Sequence, residues 1–441
     1  MKRMPLFVSS SMTRKKCKST RCNMLGRGPM TRIGAIGLTL FVAATPGSAQ
    51  LIPAPQLPGV GGAVDRVTGL APQVDRTLSD ARALVQAQTA RMRDLVRRHP
   101  DRIALDARGN AARAGELIVL DADAQTIVAA QARGFELLEQ VDLAEMAVGY
   151  ARFATPRGMA LAKAEKRLRG IARGKDVSAD QLHFASGATA ASAPRNISGV
   201  KPSGGGGRIG IIDGGVSART PGLARQQGFA EGAPRPHDHA AAIASILTGD
   251  GVVRASAPRA RLYVADVYGA DPAGGNATAI ARALIWMTRE KVPVVVISLV
   301  GPPNALLARI VVAARKLGTV VVAAVGNDGP AAAPAYPASY AGAISVTGVD
   351  ARGRPLIEAG RAAKIDYAAP GADLLVGGTD GKARKARGTS FAAPFVAARL
   401  SAHLNGDVGR AIRSLDREAQ PGNVRRVGRG ILCGDCATRP R

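Results

Sequence analysis

From residue 208 onward the chain alternates short, almost unbroken apolar runs with longer segments of helical periodicity. The runs are RIGIID (208–213), LYVADV (262–267), VPVVVISL (292–299), TVVVAAV (319–325), AISVTGV (343–349) and IDYAAP (365–370). Runs rich in Val and Ile with no polar alternation read as strands buried on both faces, and helices between them argue for a parallel sheet covered on each side. This half of the chain is therefore expected to be α/β. In such sheets the functional groups collect at the carboxyl ends of the strands.

Upstream the pattern is different. Residues 116–186 predict a strand at 116–120, a helix at 124–133, strands at 135–138 and 149–154, a helix at 159–172 and a last extended piece at 182–184. The order βαββαβ is that of a small ferredoxin-like α+β module. Before it, residues 50–75 are rich in Pro and Gly and read as a flexible leader. Leu78, Val85, Met92, Leu95 and Val96 then recur at helical spacing, which predicts an amphipathic helix. The stretch 193–208, APRNISGVKPSGGGGR, carries four consecutive glycines. It is the clearest domain boundary and a plausible place for a protease to cut. The expected segments are 1–49 (n-region and signal peptide), 50–113 (leader and helix), 114–190 (α+β module), 191–207 (Gly-rich linker), 208–432 (α/β domain) and 433–441 (basic tail with a Cys-x-x-Cys).

The first segment rests on the sequence from Met30. A basic start at Arg32, an apolar run over residues 33–44 and a small-residue site ending at Ala49 fit a secretory signal peptide, too short to anchor permanently in a bilayer. The preceding 29 residues make a long n-region, and translation starting at Met30 is the alternative. An exported chain, periplasmic or secreted and without a transmembrane segment once mature, is expected. The formal net charge is +27, and residues 1–49 contribute nine Lys or Arg and no acid. Removing them leaves a basic protein still. Aromatic residues make up 3% of the chain, too few for a base-stacking platform, so no nucleic-acid partner is expected. Cys17 and Cys22 leave with the first segment. Cys433 and Cys436 then either form a local disulfide or stay reduced and redox-active.

Three polar residues stand at strand or helix ends. Asp213 closes RIGIID ahead of two glycines, as a solvated cap or a functional carboxylate. Asn327 follows TVVVAAV in GNDGP, as a turn former or as an amide donor for an oxyanion. Ser390, in GTSFAAP, opens an apolar helical run ending near Leu404; it either caps that helix or uses its start as a fixed, electrostatically favourable seat for a nucleophile. Pro394 fits only near a helix start.

Taken together, IIDGGV, the histidines of HDHAAAIASIL (237–247), AAVGNDGP and GTSFAAP resemble the subtilisin-like serine proteases, the subtilases, in motif and in the order Asp, His, Asn, Ser. The agreement runs from about Arg208 to Leu432. The resemblance implies an α/β subtilisin-like fold and a serine endopeptidase with Asp213, His239 and Ser390 as its triad. Asn327 and the Ser390 N–H would hold the oxyanion, and Ser298, Leu299, Val300 and Gly301 would form the strand that lies along the substrate backbone. It also implies that the 114–190 module is a propeptide, an intramolecular chaperone and inhibitor that the protease cuts from itself. The partners expected are protein or peptide substrates and this propeptide.

The family pattern after the catalytic histidine ends in an aliphatic residue and Ala, which Ile243 and Ala244 match when aligned on His239. His237 is then expected to be an exposed loop residue. Ala240 and Ala241 stand where the family has Gly and Thr, and Gly214 where Thr or Ser is common. These departures support a second reading, a catalytically weak or inactive subtilase fold that binds at the cell envelope. His99, His183 and His403 have no partner at metal-ligand spacing and are expected at the surface or satisfied. No cofactor or metal is required. Many subtilases bind calcium, but DVYGADPAGGN (266–276) has two carboxylates, which a turn explains as well. The cluster KARKAR (382–387) reads as a solvated hairpin, or as a weak preference for acidic substrates or anionic surfaces.

Overall fold

The structure is a computed structural model that describes residue 86 and residues 89–192, 206–251 and 253–439. The expected signal peptide, the leader and most of the Gly-rich linker lie outside the described residues. So does the start of the amphipathic helix, whose described part, α1, covers residues 89–98.

The module follows as β1 (Ile103–Leu105), β2 (Ala111–Leu120), α2 (Ala124–Gln131), β3 (Glu136–Leu143), β4 (Val148–Ala154), α3 (Leu161–Ile171) and β5 (Val177–Gln181). Its antiparallel sheet has the order β1-β2-β4-β3, with β5 also on β2. The βαββαβ order is therefore present, with three differences, the first being that β3 runs on to Leu143, past its expected end at 138. The sheet begins upstream of residue 114, because β1 forms a hairpin with the start of β2. The last strand is Val177–Gln181 instead of 182–184; VSADQ has little apolar signal because Asp180 and Gln181 serve polar contacts described below.

Period-two alternation gives this sheet two apolar faces. Leu117 and Val119 pack on α2 and α3 beside Ile127, Leu161 and Leu168. Ile118, Leu120, Val148 and Tyr150 point the other way, into the α/β domain.

That domain comprises β8 (Gly206–Asp213), β9 (Leu223–Gly228), α4 (Asp238–Thr248), β10 (Arg259–Asp266), α5 (Ala277–Arg289), β11 (Val294–Ile297), β12 (Leu299–Val300), α6 (Ala305–Lys316), β13 (Val320–Ala324), β14 (Ile344–Val349), β15 (Tyr367–Pro370), β16 (Leu374–Gly377), β17 (Ala383–Arg387), α7 (Ala393–His403) and α8 (Val408–Glu418). Two short strands connect it to the module, β6 (Phe184–Ala185) and β7 (Ala188–Ser192). The central sheet is parallel and seven-stranded, in the order β15-β14-β13-β11-β8-β10-β9. Each of its buried strands splits its side chains by parity. Ile209, Ile211, Val294, Val296, Val320 and Val322 face α4 and α7, while Ile212, Val295, Ile297, Val321 and Ala323 face α5 and α6. The edge strand β9 was not expected, since LARQQG is polar and half exposed.

The module covers the outer side of α5 and α6. Asp180 Oδ1 accepts from Thr278 N at 2.8 Å and so caps the start of α5. Asn304 Nδ2, at the cap of α6, donates to Gln181 Oε1 at 2.6 Å. Around this apolar seam, Arg289 pairs with Glu145 at 2.8 Å, Arg309 with Asp121 and Arg282 with Glu139. Asp271 takes Arg102 at 2.9 Å and also Arg113. Asp266 and Asp271, the two carboxylates of the 266–276 loop, thus accept from backbone N–H groups and module arginines.

The tail is part of the fold. Cys433 and Cys436 form a disulfide and both are buried in the core with Leu432. The KARKAR stretch is a hairpin, β16 with β17, with Arg384 on Asp238 at 2.6 Å and Arg387 on Glu358 at 2.7 Å.

Two buried titratable groups lie at the seam. Burial pushes the Asp180 carboxyl up to about 6 from 3.8 and the His183 imidazole down to about 4 from 6.5. The stability Asp180 contributes is complete below its unfolded value and lost as pH rises through about 6. For His183 the unfolded chain gains a proton below 6.5 that the folded chain refuses until about 4, so stability falls over that window as pH drops. Relative to the parent, Asp180→Asn is therefore expected to gain stability above pH 6, and His183→Leu to gain it below 6.5. Chemical denaturation of the intact chain across pH checks both slopes.

Candidate active site

Asp213 is carried to the carboxyl end of the central strand β8 and is fully buried. A buried carboxylate needs partners. Its Oδ1 accepts from Gly214 N at 2.8 Å, and its Oδ2 lies 2.8 Å from His239 Nδ1. His239 occupies the first turn of α4 and is 6% exposed. Burial disfavours its imidazolium, but the charge and hydrogen bond of Asp213, together with the nearby Ser186 backbone, outweigh this and raise its pKa above 6.5. The ring tilts against Phe391, centroids 5.5 Å apart.

Ser390 lies in a 3-10 turn, Thr389–Phe391, that runs directly into α7, with Pro394 in the helix's first turn. The residue is fully buried, and its Oγ has no hydrogen-bond partner. Its carbonyl accepts from Ser298 Oγ at 2.9 Å, which ties this turn to the strand that ends in Leu299 and Val300. Asn327 is oriented by Thr389 N, which donates to its Oδ1 at 2.9 Å. That leaves its Nδ2, a buried donor without a partner, free of other duties. His239 Nε2 is likewise buried without a regular partner. A hydroxyl, an imidazole and an amide are thus all held by their other atoms, with the reactive atom uncommitted. Such a set suits acyl transfer, in which the hydroxyl attacks, the imidazole moves a proton and the amide stabilises an oxyanion.

Ser298–Gly301 forms an edge already in use. Leu299 and Val300 pair antiparallel with Ala185 and Phe184, Ser298 O accepts from Ser186 N at 3.2 Å, and Gly301 bridges to Tyr336. A cavity of about 510 Å³ beside this edge is lined by Ser186, Val300, Asn327, Asp328 and Glu358, with Met92 of α1 over it.

Two histidines differ from expectation. His237 is exposed, but it is the N-cap of α4, its Nδ1 accepting from His239 N at 3.3 Å. His183 is fully buried with neither ring nitrogen partnered, packed so that a Cβ on Gly301 would fall 2.6 Å from its ring. Its apolar neighbours Leu182 and Phe184 gave no hint that the polar residue between them was buried too. His403 is satisfied by Glu418 at 3.0 Å. Among the described residues no cluster of three or more His, Cys, Asp or Glu could hold a metal ion.

A family model described as the subtilase family matches residues 204–406. The chain is 32% identical to M-protease of Shouchella clausii over 251 residues, 54% of this chain and 65% of that protein. Against subtilisin BL of Lederbergia lenta the identity is 33% over 204 residues, 44% of this chain and 75% of the relative. The chain belongs to the subtilase family. Subtilases are serine-type endopeptidases. Among solved structures, fervidolysin from Fervidobacterium pennivorans, a keratinolytic enzyme related to subtilisin, superposes with a TM-score of 0.60 at 19% identity, over 73% of this chain and 60% of the other. That likeness carries the fold.

The departures from the subtilase pattern have a local reason at Gly214. A Cβ there would lie 2.5 Å from His237 Cβ, so the side chain common in the family is excluded by the histidine that caps α4. Gly214→Ser is expected to cost about 1–3 kcal/mol through overpacking. His237→Gly in the same chain is expected to recover part of it, since glycine at an N-cap costs little. A double-mutant cycle by thermal denaturation reads the coupling.

Proposed function

We propose that the chain is an exported serine endopeptidase that hydrolyses peptide bonds through Ser390, His239 and Asp213 and removes its own N-terminal module. The carrying observation is the buried 2.8 Å contact between His239 and Asp213, paired with a Ser390 hydroxyl that nothing else engages. Asp213 holds the imidazole tautomer and stabilises its cation, His239 Nε2 takes the Ser390 proton, and Asn327 Nδ2 with the Ser390 N–H receives the oxyanion. The departures at Ala240 and Ala241 remove a hydroxyl near the site but none of these four roles, which favours turnover over a binding-only role.

The same reading makes the module an inhibitor. Its docked sheet and the occupied edge at Ser298–Gly301 support this, since a peptide substrate needs that edge. Export rests on the sequence at residues 30–49. Among the described residues no helix is long and apolar enough to cross a membrane.

A fluorophosphonate probe is expected to label the purified protein, and Ser390→Ala to abolish labelling; labelling that survives the substitution overturns the assignment. Asn327→Ala is expected to lower the rate roughly 10²–10³-fold with little change in melting temperature. Because His239 must be neutral to accept the proton and its pKa is raised, the self-cleavage rate is expected to climb with pH through a midpoint above 6.5. Asp213→Asn is expected to reduce that rate roughly 10⁴-fold.

A further inference from the structure

Between the module and the α/β domain the chain does not go around the cleft; it goes through it. On one side of Ser390, Phe184 and Ala185 pair antiparallel with Val300 and Leu299, and Ser186 N and Oγ both donate to Ser298 O at 3.2 Å. On the other side, β7 pairs antiparallel with β17, the strand that leads into the nucleophile turn, with Ala188 opposite Arg387 and Thr189 opposite Ala386. Both flanks of the segment are thus fixed in register by backbone hydrogen bonds. Only the peptide joining Ser186 to Gly187 is left between them.

We infer that the bond Ser186–Gly187 is the one this protein cuts in itself, and that glycine at 187 is required for the cut. The inference rests on the proposed protease reading. The reactive atoms converge on this peptide: the Ser186 backbone lies at the His239 ring. A Cβ built on Gly187 would fall 2.3 Å from Ser390 Oγ and 2.8 Å from the Phe391 ring. On the opposite wall, a Cβ built on Gly388 would fall 2.7 Å from Gly187 Cα and 2.8 Å from Asn327 Nδ2. Gly187 also has φ +148°, in the region L side chains rarely adopt. Any side chain at 187 would push the scissile carbonyl away from the nucleophile.

The reaction balances with water alone. Ser390 Oγ bonds to the Ser186 carbonyl carbon, its proton passing to His239 Nε2. The Ser186 C–N bond breaks and that proton goes to the Gly187 nitrogen, which leaves as a free amine. Water then attacks the ester carbon, gives its proton through His239 back to Ser390 Oγ, and leaves Ser186 as a carboxylate. The cut lies upstream of the glycine run at 204–207, where composition alone points.

The test is intact mass and terminal sequencing of the full chain after expression, with fluorophosphonate labelling in parallel. A new amino terminus at Gly187 with a fragment ending at Ser186, both absent in Ser390→Ala, is the expected result. A labelled protein whose terminus lies elsewhere, for example within 193–207, overturns the bond while leaving the protease reading intact. A chain that neither labels nor cuts overturns that reading instead. Gly187→Ala is expected to slow the cut about 100-fold, the usual effect of displacing a reacting group by about 1 Å; cutting of the variant at the same bond and at the parent rate overturns the glycine requirement. The termini of the parent chain decide the bond whether or not that variant folds.

Discussion

The arrangement depends on one packing fact: the module's small sheet has two apolar faces, and only one of them is covered by its own helices. Ile118, Leu120, Val148 and Tyr150 must be buried somewhere, and α5 and α6 provide the surface. Burial of several large side chains, each contributing on the order of 1.5–3 kcal/mol before entropy is charged, outweighs the ion pairs at the rim of the seam. Once β5 ends at the α5 and α6 caps, held by Asp180 and Gln181, the chain has one direction left, along β12 toward Ser390.

The α/β domain answers this with a site built from strand and helix ends. Asp213 and Asn327 sit at or just beyond the carboxyl ends of β8 and β13, and His239 and Ser390 at the starts of α4 and α7. Three of these residues are held by hydrogen bonds that leave another polar atom of the residue unoccupied or turned to a neighbour. Asp213 is held by Gly214 N, Asn327 by Thr389 N and the Ser390 backbone by Ser298 Oγ. Within the site, the cost of burying unpartnered polar atoms falls on His239 Nε2, Asn327 Nδ2 and Ser390 Oγ.

Much of this was legible in the sequence. Six of the seven central strands stand out because their side chains are largely buried, so little that is polar interrupts them, and Asp213 and Asn327 lie at or just beyond the ends of two of them. Edges were harder. β9 does not read as a strand because LARQQG lies at the sheet's rim and carries polar residues, and β3 reads as ending at 138 because Glu139, Gln140 and Asp142 interrupt its apolar residues. VSADQ was missed since its polar residues are satisfied by a different domain, information no local window contains. The burial of His183 and the reason for a glycine at 214 are hidden from the sequence for the same reason. His183 is buried by Gly301 and Tyr268 from afar, and Gly214 is small because of His237, which comes near only when β8 and α4 are assembled.

On the proposed reading, the chain that threads the cleft also sets how the module competes with a substrate. While residues 184–192 connect both parts, the module occupies the substrate edge at an effective concentration of order millimolar, whatever the amount of protein present. Hydrolysis of one bond in this segment would turn that intramolecular contact into a bimolecular one. The same seam of apolar contacts then obeys mass action, and its occupancy falls as the fragments are diluted. On that reading, dilution of the fragments would be what opens the cleft.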